Sequence, residues 1–263
     1  MNSGPYSDDL ALALRIADAV DTVTLGNFEA DDLTVETKPD DTPVTAVDRE
    51  AERLVREFLA RERPDDAVLG EEYGAVGDAS RQWIVDPIDG TKNYIRNVPA
   101  WATLIALVVD GDPVVGVVSA PALQRRWFAA RDQGAWRGLT PEDARRLHVS
   151  SVDDLEQASL SYSSLTGWEE RGLLPAFLDV SSTVWRTRAF GDFWSYMMVA
   201  EGAVDVACEP ELALHDMAAL VPIVTEAGGA FTSLDGVAGP FGGDALATNG
   251  MLHAAMLEAL RAR

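Results

Sequence analysis

Apolar residues recur at helical spacing in two stretches near the start of the chain. Leu10, Leu14, Ala17 and Val20 to Val23 share one side of a helix drawn over residues 8–30. Val47, Ala51, Leu54, Val55, Phe58 and Leu59 follow i, i+4, i+7, i+8, i+11 and i+12, and predict a second helix from Ala46 that ends at or before Pro64. Between them, Thr37-Lys38-Pro39-Asp40-Asp41-Thr42-Pro43 is polar and proline-rich and reads as an exposed loop. The pattern then changes. Ala67 to Leu69 and Trp83 to Val85 are apolar runs of strand length. Trp101 to Asp110 and Val114 to Ser119 are β-rich and separated by Gly-Asp-Pro, a hairpin signal. Further strands are predicted at Arg126–Ala130, Ala135–Gly138 and Leu147–Ser150, giving a largely antiparallel sheet.

The rest of the chain alternates. Gln157–Ser161, Val184–Thr187, Val204–Cys208 and Ala230–Thr232 read as strands, and Trp168–Leu178, Asp192–Ala200 and Leu214–Ala227 as helices. Gly228-Gly229 closes the last of these, and Asn249 caps a final helix to Ala262. Pro222 inside the Leu214 helix predicts a kink or a later start. Such alternation implies α/β layering. Two lobes are expected: an α+β lobe over residues 1–150, and an α/β lobe over 151–263 that completes any site on the first.

Composition narrows the function. A chain of 263 residues with 47% hydrophobic content suits two packed lobes. Its longest apolar runs are broken by Asp110, Gly111 and Pro113, so no membrane span is expected. Asp8 and Asp9, without a basic region, argue against a secretory signal. Cys208 is the single cysteine, which excludes internal disulfides and cysteine zinc sites and suits a cytoplasmic protein. The 21 basic and 43 acidic residues give a formal charge of −22, a field that repels nucleic acid and anionic membranes. It also repels phosphate esters, so an enzyme acting on them needs local positive charge.

The densest chemistry lies in Trp83-Ile84-Val85-Asp86-Pro87-Ile88-Asp89-Gly90-Thr91-Lys92-Asn93-Tyr94. With Pro87 and Gly90 as stops, Asp86 and Asp89 are expected on a loop just past a strand. Two carboxylates so placed can converge on one point, which a hard cation favours and bare carboxylates resist. The Gly90 and Thr91 amides can cradle a phosphate, and the Thr91 hydroxyl can orient a water. The plainer reading is an Asx-turn with a proline bend. Asp48 and Asp216 each open a helix, where an acid is ordinarily a cap, and Glu71 follows a strand, where glutamates are commonly surface. Were Asp48, Glu71, Asp86, Asp89 and Asp216 to converge, their repulsion would require divalent cations. An oxygen-only ligand set selects magnesium or manganese over zinc.

Gly70-Glu71-Glu72, Asp86-Pro87-Ile88-Asp89-Gly90-Thr91, and Asp216-Met217-Ala218-Ala219 followed by Thr225-Glu226-Ala227-Gly228-Gly229 resemble the ordered motifs of the inositol monophosphatase family. The resemblance spans nearly the whole chain. It implies an αβαβα layered fold and a Mg2+-dependent phosphomonoesterase, with two to three Mg2+ per site and Mn2+ as a substitute. By that resemblance Glu71, Asp86 and the Ile88 carbonyl hold one ion, Asp86, Asp89 and Asp216 a second, and Glu71 helps with a looser third. Thr91 paired with Asp48 activates water, and the Gly90 and Thr91 amides bind phosphate. A homodimer is implied in the same way. The chain departs from the family in His215, where tryptophan is frequent, and in Lys92, where the inositol enzymes often carry a second threonine.

Within the family, Asp89-Gly90-Thr91-Lys92-Asn93-Tyr94, Val98 to Leu107 and Arg186 to Trp194 look more like the histidinol-phosphate phosphatase branch. Its substrate bears an ammonium and an imidazole, and Asp192 and Glu209 are the acids positioned to meet them. Asp192 reads equally as the cap of its helix and Glu209 as a turn residue before Pro210. Arg188 contacts the phosphate or substrate, or pairs with Asp192. Trp101, Phe193 and Trp194 are more often core than pocket wall. The alternatives are an inositol-1-phosphatase or a broad sugar-phosphate phosphatase. Adenosine bisphosphate nucleotidases share the fold, but there is no clear basic cluster for a second phosphate beyond Arg186 and Arg188. A non-catalytic interaction protein on this fold has no need of a complete cage of acids.

Overall fold

The computed structural model describes residues 4–30, 33–38 and 42–261. Residues 39–41 of the polar loop lie outside them. The chain opens with α1 (Ser7–Asn27), a short antiparallel pair β1 (Val35–Thr37) and β2 (Pro43–Thr45), and α2 (Ala46–Glu62). Then come β3 (Ala67–Gly70), β4 (Gly74–Val76), β5 (Arg81–Asp89), the single turn α3 (Thr91–Tyr94), β6 (Ala102–Val109), β7 (Asp112–Ala120), β8 (Arg125–Ala130), β9 (Ala135–Arg137) and β10 (Arg145–Arg146). These make an eight-stranded sheet in the order β10-β9-β8-β7-β6-β5-β3-β4, antiparallel except where β3 runs parallel to β5.

The second part holds β11 (Ser159–Ser161), α4 (Thr166–Glu170), α5 (Leu174–Thr183), β12 (Arg186–Arg188), α6 (Asp192–Ala200), β13 (Val206–Glu209), α7 (Leu214–Met217), α8 (Leu220–Glu226), β14 (Ala230–Thr232), β15 (Ala245–Thr248) and α9 (His253–Leu260). Its five-stranded sheet has the order β12-β11-β13-β15-β14. β11 runs parallel to β12 and β13, and β15 antiparallel to β13 and β14.

Side-chain alternation along the strands builds the layers. On one face of the large sheet Trp83, Val85, Ile105, Leu107, Val117 and Phe128 meet the apolar sides of α1 and α2. The other face, with Ile84, Leu104, Ala106, Val118 and Trp127, meets α6 and α8. Those helices are covered in turn by Ala207, Ala245, Ala247 and Phe231 of the small sheet. Its far face, with Leu160, Val206, Cys208 and Leu246, packs on Trp168, Phe177, Val180 and Met256 of α4, α5 and α9. This is the expected αβαβα sandwich.

Several expectations need correction. Asp86 and Asp89 lie within β5, not on a loop after it. Leu147–Ser150 is not a strand; the sheet instead ends in β10. The helix expected at Trp168–Leu178 breaks in two where Gly172 turns left-handed (φ +69°). The Leu214 helix also divides, so Pro222 falls in the first turn of α8, where its missing amide costs nothing. Asn249 does not cap α9 directly. Its Oδ1 accepts the Leu252 amide at 3.2 Å, and its Nδ2 donates to Ser150 Oγ and to the Val152 carbonyl.

Candidate active site

The site begins with an irregularity in β5. Residues three apart on a regular strand point to opposite faces, which would separate Asp86 from Asp89. Between them the pairing slips: Asp86 faces Leu104 and Asp89 faces Ala102, so three steps on β5 match two on β6. The extra residue is a bulge, a position where a proline without an amide is tolerated. It turns both carboxylates to one side. The Ile88 amide donates to Asp86 Oδ1 at 3.0 Å, and Thr103 Oγ1 holds the Pro87 carbonyl at 2.8 Å. Gly90 then takes φ +84°, and a Cβ there would stand 3.0 Å from the Ala100 carbonyl and 3.3 Å from Asp192 Oδ2. Glycine is therefore required where the strand turns into α3.

Other elements aim their acids at the same place. Asp216 on α7 accepts the Ala213 amide at 2.7 Å and has His215 Nε2 at 3.6 Å from its other oxygen. Asp86, Asp89 and Asp216 offer oxygens all within 4.8 Å of one another. Asp89 Oδ2 also accepts the Phe193 amide at 2.8 Å, so it supplies the cap at the start of α6. Asp192 does not cap that helix with its side chain; its carboxylate receives Asn93 Nδ2 at 3.0 Å. Glu71, where β3 ends, is engaged by Lys38 Nζ at 2.6 Å, and the same ammonium lies 2.5 Å from Glu72.

Asp48 is a cap that also reaches Thr91. Its Oδ2 accepts the Thr45 amide and hydroxyl in a capping box, while Oδ1 lies 3.4 Å from Thr91 Oγ1. The Thr91 hydroxyl is 3.0 Å from the Ile88 carbonyl. A cavity of about 250 Å³ is lined by Glu71, Asp86, Asp89, Thr91, Lys92 and Asp216, among others. Beside it a smaller one of about 120 Å³ shares Asp89, Asp192 and Asp216 and reaches Tyr196 and Glu209.

Glu209 ends β13 and is buried, so it is no turn residue. Ser163 Oγ donates to its Oε2, while among the described residues Oε1 has no partner in good hydrogen-bond geometry. Arg188 stands apart. It is exposed at the end of β12 and donates to its own neighbour's carbonyl, Thr187, and among the described residues it forms no ion pair with Asp192. Lys38, Ser163 and Tyr196 come to the site through tertiary structure alone; no local pattern marks them.

The electrostatics follow from crowding. Burial, then the neighbouring carboxylates, hold Asp86 and Asp89 well above the ordinary carboxylate range. Burial and Asp216 bring Asp192 to about 6, with Lys92 opposing. Burial pushes Glu209 to about 8. Acids so desolvated and so close call for a counter-charge, and an oxygen-only donor set fits a hard divalent cation. The residues present suit magnesium.

The sequence profile of the inositol monophosphatase family matches residues 6–263. Over 262 residues the chain is 59% identical to the histidinol-phosphatase of Streptomyces coelicolor, covering 98% of both chains. It is 59% identical over 256 residues to the histidinol-phosphatase of Mycobacterium tuberculosis, covering 97% of this chain and 98% of that one. Among solved structures, an inositol monophosphatase from Zymomonas mobilis superposes with a TM-score of 0.87 at 34% identity, covering 99% of this chain and 100% of the other. The chain belongs to the inositol monophosphatase family, a family of phosphatases that generally depend on Mg2+. Its relatives at 59% identity are histidinol-phosphatases.

Proposed function

We propose that this protein is a Mg2+-dependent phosphomonoesterase that hydrolyses L-histidinol phosphate to L-histidinol and phosphate, a step of histidine biosynthesis. The observation that carries the reading is the 59% identity to two histidinol-phosphatases over nearly the full length of each chain. The convergence of Asp86, Asp89 and Asp216 supports the metal chemistry.

In this reading Glu71, Asp86 and the Ile88 carbonyl hold one ion, and Asp86, Asp89 and Asp216 a second. Glu71 shares in a third, and Mn2+ can replace Mg2+. Bound there, the ions polarise the phosphoryl oxygens and make water more acidic. Thr91 Oγ1 orients the attacking water, and Asp48 Oδ1, 3.4 Å away, is the acceptor its proton moves toward. The Gly90 and Thr91 amides bind the phosphate. Lys92, at the cavity wall, offsets part of the negative field that the ester must enter. Asp192 and Glu209 face the nitrogen-bearing leaving group, where negative charge suits an ammonium and would be wasted on a neutral polyol. The proposal includes a cytoplasmic homodimer. Among the described residues, no helix is long and apolar enough to cross a membrane.

The test is phosphate release with Mg2+ from L-histidinol phosphate, inositol 1-phosphate and adenosine 3′,5′-bisphosphate side by side. The account expects strong preference for the first. Equal rates, or preference for inositol 1-phosphate, would leave the family standing and remove the substrate.

A further inference from the structure

The smaller cavity has a polar floor that the described residues satisfy poorly. The Tyr196 hydroxyl, on α6, is buried at 1% exposure and approaches the Glu209 carboxylate, but among the described residues it has no partner in good hydrogen-bond geometry. Glu209 Oε1 is equally without a well-aligned donor among the described residues, although Oε2 is held by Ser163. Both residues line the cavity of about 120 Å³ that opens between Asp89, Asp192 and Asp216. A buried hydroxyl and a buried carboxylate oxygen so loosely paired are costly, and two of them facing one cavity mark a place where a ligand completes their hydrogen bonds. The remaining wall is Phe193, Leu212 and Leu220.

Shape and polarity together select the ligand. A polyol carries hydroxyls around its whole ring and would bury some of them against Phe193, Leu212 and Leu220 without partners. A planar nitrogen heterocycle presents apolar faces to those side chains and an N–H at its edge. We infer that Tyr196 is a specificity-determining residue, its hydroxyl joining Glu209 Oε1 to receive the ring N–H of the leaving alcohol. The inference rests on the histidinol phosphate reading and deepens it. Tyr196 takes no part in the chemistry at phosphorus; it acts on which ester is held.

The experiment compares wild type with Tyr196→Phe, in Mg2+, on L-histidinol phosphate and inositol 1-phosphate, with L-histidinol as a competitive inhibitor. One hydrogen bond lost to a buried polar partner predicts that kcat/KM for L-histidinol phosphate falls about tenfold, mainly through KM. The inhibition constant of L-histidinol rises in parallel, and selectivity over inositol 1-phosphate shrinks. The melting temperature of the variant changes little, because the hydroxyl removed is only loosely paired with Glu209. Unchanged selectivity and an unchanged inhibition constant overturn the inference. So does a variant that melts earlier and loses both esters equally, since that marks a structural hydroxyl. The wild-type arm stands separately: no preference for L-histidinol phosphate there defeats the substrate reading itself, and this subsite with it.

Discussion

Asp89 Oδ2 accepts the backbone amide of Phe193 at 2.8 Å, joining the end of β5 to the first turn of α6 across 104 residues of chain. One carboxylate thus anchors a helix and stands in the acid cluster. Fold and chemistry share the residue, and a variant that probes one must preserve the other.

Asp89→Asn preserves it, because the amide oxygen still accepts from Phe193. We expect turnover to fall by about 10³-fold or more, the loss that follows when charge stabilisation at a reacting phosphoryl group is removed. In chelator the variant should melt no lower than wild type, since one of three crowded negative charges is gone. Phosphate-release assays and thermal melts read both. Wild-type turnover would remove Asp89 from the metal assignment.

Glu209 makes the chelated protein sensitive to pH. Burial raises its carboxyl from 4.5 to about 8, so the folded state binds its proton more tightly than the unfolded chain does. The resulting stabilisation is complete below the unfolded value and is lost as pH rises through about 8. Melting temperature in chelator should therefore decline over that window, and Glu209→Gln should decline less. Parallel slopes for the two proteins would show that Glu209 is not the group responsible.

Thr91 and Asp48 separate by their structural duties. Thr91→Val removes the hydroxyl beside Asp48 and should lower kcat by about 10²–10³-fold with little change in melting. Asp48→Ala should lower kcat comparably and also cost about 1 kcal/mol, because it removes the acceptor that completes the capping box of α2. Urea unfolding distinguishes the pair. A Thr91→Val enzyme with full kcat would contradict the role given to this hydroxyl.

Gly70 guards the turn that carries Glu71. A Cβ there would stand 2.0 Å from Glu52 Oε1, and the Glu52 carboxylate accepts the Glu72 and Tyr73 amides at 2.6 and 3.2 Å. Gly70→Ala must displace Glu52 and should destabilise the fold by about 2 kcal/mol or more. The stabilisation gained on adding Mg2+ should shrink as well. A variant that melts with wild type and responds fully to Mg2+ would show the turn can move without cost.

How far the sequence anticipates this molecule depends on the range of the forces involved. α2 is legible nearly to the residue, because its apolar spacing and Pro64 act locally. The sequence places the two aspartates of β5 outside the strand, since Pro87 and Gly90 read as stops; the bulge that accommodates the proline depends on pairing with β6. β15 has no sequence signature, because Ala245–Thr248 is four residues long and buried on both faces, which leaves no alternation to read. Asp48 and Asp216 look like ordinary caps and are caps. The convergence of Asp216 with Asp86 and Asp89, and the approach of Asp48 to Thr91, are properties of the layered fold, visible in the sequence only through the ordered family motifs. Lys38 and Tyr196 carry no local signal, because what distinguishes them is the side chain across the cavity.

The most direct measurement is phosphate release from L-histidinol phosphate by protein first stripped with chelator and then titrated with Mg2+. The account predicts no turnover in chelator and full recovery with Mg2+, with Asp89→Asn failing to recover. Undiminished hydrolysis in chelator, or recovery of the Asp89→Asn variant to the wild-type rate, would contradict it.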